Sequence, residues 1–191
     1  SVPPSKTSVF SARVVSLDPL SGGAIQDNRR MAADIEGGPF AGTLDAVVRM
    51  DAPSRVAVSH DRAQEFALLR CAHRAGVRVA EPLWLCADAD VLGRPFFVMR
   101  RMPGIAAGHR LVKDAAEAGF GEALAAELGA ELAKIHKIPI ASPELSFLAA
   151  PEGSPALALV AQYRDFLDDL PDPAPAVEWG LAWLARHAPP A

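Results

Sequence analysis

An α+β fold is predicted for this chain, a small antiparallel sheet carrying one helix and followed by a run of helices. Two observations predict it. Up to residue 101 the apolar residues come in short β-branched runs broken by glycine and proline turns, with a single helical period among them. After Pro103 the spacing changes to a helical stripe, and nine of the 17 prolines lie at or beyond Pro139. That density reads as short helices joined by stiff connections.

Residues 9–17 (VFSARVVSL) are apolar and β-branched enough for a first strand. Residues 20–24 form a flexible turn, and residues 31–36 offer a second, weaker strand. Gly37, Gly38, Pro39 and Gly42 mark the next turn, before a third strand at 44–50 (LDAVVRM) that Asp51, Ala52 and Pro53 end. Ala63, Phe66, Leu68 and Leu69 then recur at helical spacing, which predicts a helix over 62–75 stopped by Gly76. Two more strands, at 82–87 (PLWLCA) and 95–100 (PFFVMR), are joined by residues 88–93. Met102, Pro103 and Gly104 break the pattern. Phe120, Leu124, Leu128, Leu132 and Ile135 fall at steps of four, four, four and three, predicting a helix over about 117–138 that Pro139 stops. Residues 156–167 and 176–187 are further helix candidates. The expected organisation is a sheet lobe over 1–101 and a helical part over 102–191, with no internal repeat.

With 191 residues, 50% hydrophobic and 22% charged, the chain can bury a core and does not match collagen-like, disulfide-scaffold or disordered classes. No apolar run reaches the ~18 residues of a membrane helix, so no membrane role is expected. The formal charge is −4 and the basic pairs are short, Arg29–Arg30 and Arg100–Arg101, without flanking aromatics, so no nucleic-acid partner is expected either. Cys71 and Cys86 are expected to be free, half-buried thiols of a cytoplasmic protein. The first residue is Ser1 and not Met, which suggests a processed or incomplete stretch of a longer protein.

Few places could carry chemistry. Ser21, Gly22, Gly23 and Ala24 lie between two strands, which excludes a P-loop or dinucleotide fingerprint, since both need a helix behind the glycines. Such a turn can instead lie over a phosphate chain, or be an ordinary hairpin turn. Arg49 is a cation near the end of an apolar strand and Glu65 a carboxylate in the next helix. A buried cation needs a partner, and in kinase-like folds a strand cation holds phosphates while a helix glutamate holds the cation. A surface arginine and a solvated glutamate remain the other reading. Residues 96–104 (FFVMRRMPG) are a buried strand running into a Pro-Gly break. Such a segment can offer backbone groups to an adenine, or simply end a core strand. The five histidines make no zinc spacing with the cysteines, and no G-x-S-x-G elbow is present.

Taken in order, SGGAIQDN, VVRMDAP, the helix with Glu65, PLWLC, LGRPFFVMRRMPG and LAKIH resemble the aminoglycoside phosphotransferase and choline kinase-like family. The branch they resemble most is the kinase-like domains related to those fused to acyl-CoA dehydrogenases. The resemblance covers residues from about 9 to 137. It implies a protein-kinase-like fold with a small sheet lobe, a hinge and a larger helical lobe.

By that resemblance ATP would sit under Ser21, Gly22 and Gly23. Arg49 would stand where most relatives place a lysine, with Glu65 as its partner. Met99, Arg100 and Arg101, with Met102, would form the hinge that reads the adenine, and Asn28 would help order the glycine turn. Arginine stays charged and binds phosphate in a fork, so the geometry differs from a lysine's. The family's H-G-D-x-x-x-x-N loop, whose aspartate serves the acceptor hydroxyl and whose asparagine holds magnesium, has no counterpart among the 191 residues. The expectation is therefore the N-terminal portion of an ATP-dependent phosphotransferase acting on a hydroxyl of a small molecule. That acceptor would be aminoglycoside-like, choline-like or hydroxyacyl. No catalytic residue lies in the chain, the Mg2+ ligands are expected beyond Ala191, and these residues alone are expected to be inactive. The alternatives are a non-catalytic kinase-like nucleotide-binding or scaffold module and, less close to the motifs, an unrelated α+β domain. Apolar stripes left uncovered would favour a homodimer.

Overall fold

A computed structural model describes residues 11–20, 26–51, 60–104, 107–148 and 153–189. Five strands form one antiparallel sheet: β1 (Ser11–Pro19), β2 (Gln26–Glu36), β3 (Gly42–Asp51), β4 (Pro82–Cys86) and β5 (Phe96–Arg100), in the order β1-β2-β3-β5-β4. Six helices accompany it: α1 (Arg62–Arg74), α2 (Ala89–Leu92), α3 (Gly108–Ala118), α4 (Gly121–His136), α5 (Pro155–Asp168) and α6 (Pro175–Arg186). The α+β, kinase-like arrangement expected from the sequence is the one observed.

Several elements depart in detail. β2 begins five residues earlier than the apolar run, because Asp27, Asn28, Arg29 and Arg30 pair with β3 through their backbones whatever their side chains. The connection over 88–93 contains α2, capped by Asp88, whose carboxylate accepts from the Asp90 N–H. The single helix expected over 117–138 starts later. A separate α3 precedes it and ends at Gly119, which has φ of 71°.

β3 sets the two faces of the sheet. Leu44, Ala46, Val48 and Met50 point one way and, with Ile35 and Val98, make a buried cluster that Leu17, Met31, Phe40, Leu83, Trp84 and Phe96 flank. Asp45, Val47, Arg49 and Asp51 point the other way. Cross-strand partners share a face, so Asn28, Arg49 and Phe97 form one row and Arg30, Val47 and Met99 the next. Helix α1 lies on this second face, its Phe66 against Phe97 with ring centroids 5.8 Å apart.

The local sequence explains where α1 starts and stops. Asp61 caps it: the carboxylate accepts from the Gln64 N–H at 2.8 Å, and the Gln64 side chain accepts from the Asp61 N–H at 3.1 Å. At the other end Gly76, with φ of 74°, takes the left-handed conformation that lets its N–H reach the His73 carbonyl and the Val77 N–H reach that of Ala72.

The chain divides into two compact units, Ser1–Leu145 and Ser146–Ala191. Helix α4 belongs with the sheet because three bonds fasten it to the residues after α1. Lys134 donates to the Gly76 carbonyl at 2.9 Å, the Arg78 N–H to Glu131 at 2.8 Å, and the Arg78 side chain to Glu127 at 3.0 Å. In the second unit α5 and α6 pack on each other and bury Val160 and Leu181.

Candidate nucleotide site

The second face of the sheet gathers charge at one end. Arg49 Nη2 lies 2.7 Å from Glu65 Oε1. The spacing of the two residues in sequence left a solvated pair open, and the structure joins them, with side chains only 25% and 22% exposed. Arg49 Nη1 also donates to Asn28 Oδ1 at 3.4 Å, a long bond to the next strand in the row. The buried Arg49 Nε has no hydrogen-bond partner among the described residues. This cation is therefore fixed from both sides while part of its donor fork stays uncommitted.

A further charged residue completes the group and is not singled out by the sequence motifs. Arg62, the first residue of α1, is 3% exposed. Its Nε lies 2.8 Å from Asp51 Oδ1 and its Nη1 lies against Glu65 Oε2, close ion-pair contacts that are not aligned as hydrogen bonds. Two arginines and two carboxylates thus balance within one network linking β3 to α1, which is the condition under which buried charge is tolerated. A signal for Arg62 does exist in the sequence. A cation in the first turn sits at the positive end of the helix dipole, so it needs carboxylates to hold it there. Asp51 and Glu65, at 11 residues before and three after, are those carboxylates.

The predicted hinge residues lie at the end of β5 and beyond it. Met99 pairs with Val47 on one side and Pro82 on the other. The Arg100 N–H donates to the Glu81 carbonyl at 2.8 Å and the Arg101 N–H to the Asp45 carbonyl at 3.1 Å. Among the described residues no backbone hydrogen bond takes up the Met102 N–H. The side chains are paired too, Arg100 with Glu81 at 2.8 Å and Arg101 with Asp45 at 3.1 Å. Asp45 also receives Arg30 at 2.9 Å. The hydrogen bond from Arg30 holds the Asp45 carboxyl below its ordinary range, against some burial, with Arg101 acting in the same direction. Each arginine of the two basic pairs so meets a carboxylate, Arg29 with Asp27 completing the set.

Ser21, Gly22 and Gly23 lie outside the described residues. Among the described residues no cluster of three or more histidine, cysteine, aspartate or glutamate side chains could hold a metal ion. Cys71 and Cys86 are free and half-buried. No described helix is long and apolar enough to cross a membrane.

Known proteins share this sequence pattern. The model of the phosphotransferase enzyme family matches residues 16–191. Acyl-CoA dehydrogenase family member 10 of Mus musculus is 25% identical over 135 residues, which is 69% of this chain and 12% of that protein. Acyl-CoA dehydrogenase family member 11 of Gallus gallus is 29% identical over 135 residues, 69% of this chain and 17% of its own length. The chain thus spans less than a fifth of either relative.

Proposed function

The chain belongs to the phosphotransferase enzyme family, and from that premise we propose that it supplies the nucleotide-binding part of an ATP-dependent kinase that phosphorylates a hydroxyl of a small molecule. The observation that carries this reading is the Arg49–Glu65 pair at 2.7 Å across β3 and α1. A strand cation steadied by a helix carboxylate is what phosphoryl-transfer folds use to hold nucleotide phosphates. The residues present fit such a ligand, since the Arg49 side chain, held by Glu65 and Asn28, is still 25% exposed and can meet an anion.

In this reading Arg49 binds and orients the phosphates, and Glu65 fixes the angle of its guanidinium. Val47 and Met99, in the row beside Arg49, lie against the base, whose edge the Met102 N–H reads beside the committed donors of Arg100 and Arg101. Ser21, Gly22 and Gly23 cover the phosphates. Bound Mg2+ would neutralise charge developing between phosphates. The sheet lobe is residues 1–101 and the helical part begins at 102. The acceptor is aminoglycoside-like, choline-like or hydroxyacyl. The protein works in the cytoplasm.

Calorimetric titration of the chain with ATP and MgCl2, for the wild type and R49A, tests the reading. Binding by the wild type that falls at least tenfold in R49A is expected. Equal binding by both proteins would show that Arg49 is not the phosphate contact, and no binding by the wild type would favour an α+β domain without a nucleotide site.

A further inference from the structure

Arg62 is the most deeply buried charge described in the molecule, and nothing in the proposed phosphate contact uses it. Its side chain is 2% exposed, so it cannot reach a ligand itself. It can act through Glu65. Arginine and a carboxylate favour two parallel bonds, donor fork against acceptor fork. Glu65 does not meet Arg49 that way. Oε1 meets Arg49 Nη2 at 2.7 Å, while Arg62 Nη1 lies against Oε2 in an ion-pair contact and no hydrogen bond from Arg49 reaches that oxygen. Arg62 is in turn held by Asp51, the last residue of the strand that carries Arg49, at 2.8 Å.

We propose that Arg62 is a positioning residue for the phosphate-binding cation. By occupying one oxygen of Glu65 it prevents a two-bond clasp between Glu65 and Arg49, and so keeps donors of Arg49 available to an anion. The proposal rests on the reading of Arg49 as the phosphate contact. It also explains how an arginine serves where a lysine would be simpler. A lysine ammonium is a point charge that no carboxylate can engage as a fork, so it needs no such restraint. With arginine at position 49 the restraint decides how much of the fork is left over.

The sign of a double substitution tests this. ATP affinity, measured with MgCl2 on the full chain, is expected to fall at least tenfold in R62M, because Glu65 then closes on Arg49 with both oxygens. Adding R49K to R62M is expected to raise the affinity again, whereas R49K alone gives no gain. Affinity in R62M equal to the wild type, or R49K weakening both backgrounds alike, would overturn the proposal. Loss of a purely structural residue would not yield to a change at position 49. Circular dichroism checks folding, and R62Q, which keeps a donor for Asp51, replaces R62M should the latter not fold. A crystal structure of the same variant without nucleotide reads the clasp directly. Two Arg49 donors on Glu65 are expected, and an unchanged single contact sinks the idea. Absence of ATP binding by the wild type would refute the phosphate reading instead, and the crystal structure would still decide the role of Arg62.

Discussion

Asp45 joins three elements through one carboxyl, receiving Arg30 from β2 and Arg101 from the segment after β5. Its proton affinity is lowered in the folded chain. A depressed carboxyl contributes stability that is fully present above its unfolded value, ~3.9, and is lost as pH falls through the folded value below it. Thermal unfolding between pH 5 and about 2 should therefore show a wild-type decline that is shallower in D45N, the remainder coming from other paired carboxyls such as Glu144, and parallel curves would refute it. Phe66 is the apolar counterpart at this scale. It is buried against Phe97, and F66A is expected to destabilise the chain by about 3 to 5 kcal/mol, read by urea denaturation. A loss under 1 kcal/mol would mean that the ring contact is not part of the core.

Helix α1 is the element on which the site depends, and it is held at both ends. At its start the Asp61–Gln64 capping box closes the first turn, and D61A should cost about 1 kcal/mol. At its end Glu144, in the turn Pro143–Leu145, receives Arg70 at 3.2 Å, Arg74, and the Cys71 thiol at 3.5 Å. Burial raises the Glu144 carboxyl, and the bonds from Arg74 and Cys71 with the charge of Arg70 outweigh it, leaving it below its ordinary range. This tie too is expected to weaken as pH drops below ~4.3. In hydrogen-exchange measurements E144Q should speed the amides at the end of α1 more than those near Asp61. Uniform acceleration along the helix would argue that the two ends are not held separately.

At the scale of the whole molecule the uncovered apolar surface stands out. Leu128, Leu132 and Ile135 of the predicted α4 stripe are exposed, Leu128 at 61%, and so is Trp179 of α6 at 70%. Apolar area of this kind drives association. Sedimentation at rising protein concentration should show dimers or larger species, reduced by L128K/L132K. A single monomer at all concentrations would contradict it.

The amino-acid sequence by itself determined the order of the five strands and α1, though not the short α2 or the separate α3, and the alternation that puts Arg49 opposite the apolar side of β3, because these follow from local spacing and backbone geometry. It also carried the family resemblance, since motif order survives along the chain. It placed α1 and its stop at Gly76 closely, for a left-handed residue after an apolar period is a local event. The tertiary structure alone decided that Arg49 and Glu65 meet, that Arg62 divides the carboxylate between them, and that the donors of Arg100 and Arg101 are spent within the sheet. These contacts join residues distant in sequence, and their partners depend on how strands register and where a helix lies across them. Periodicity does not specify that. The α4 stripe shows the same limit from the other side, because a helical period marks an apolar face but not what covers it.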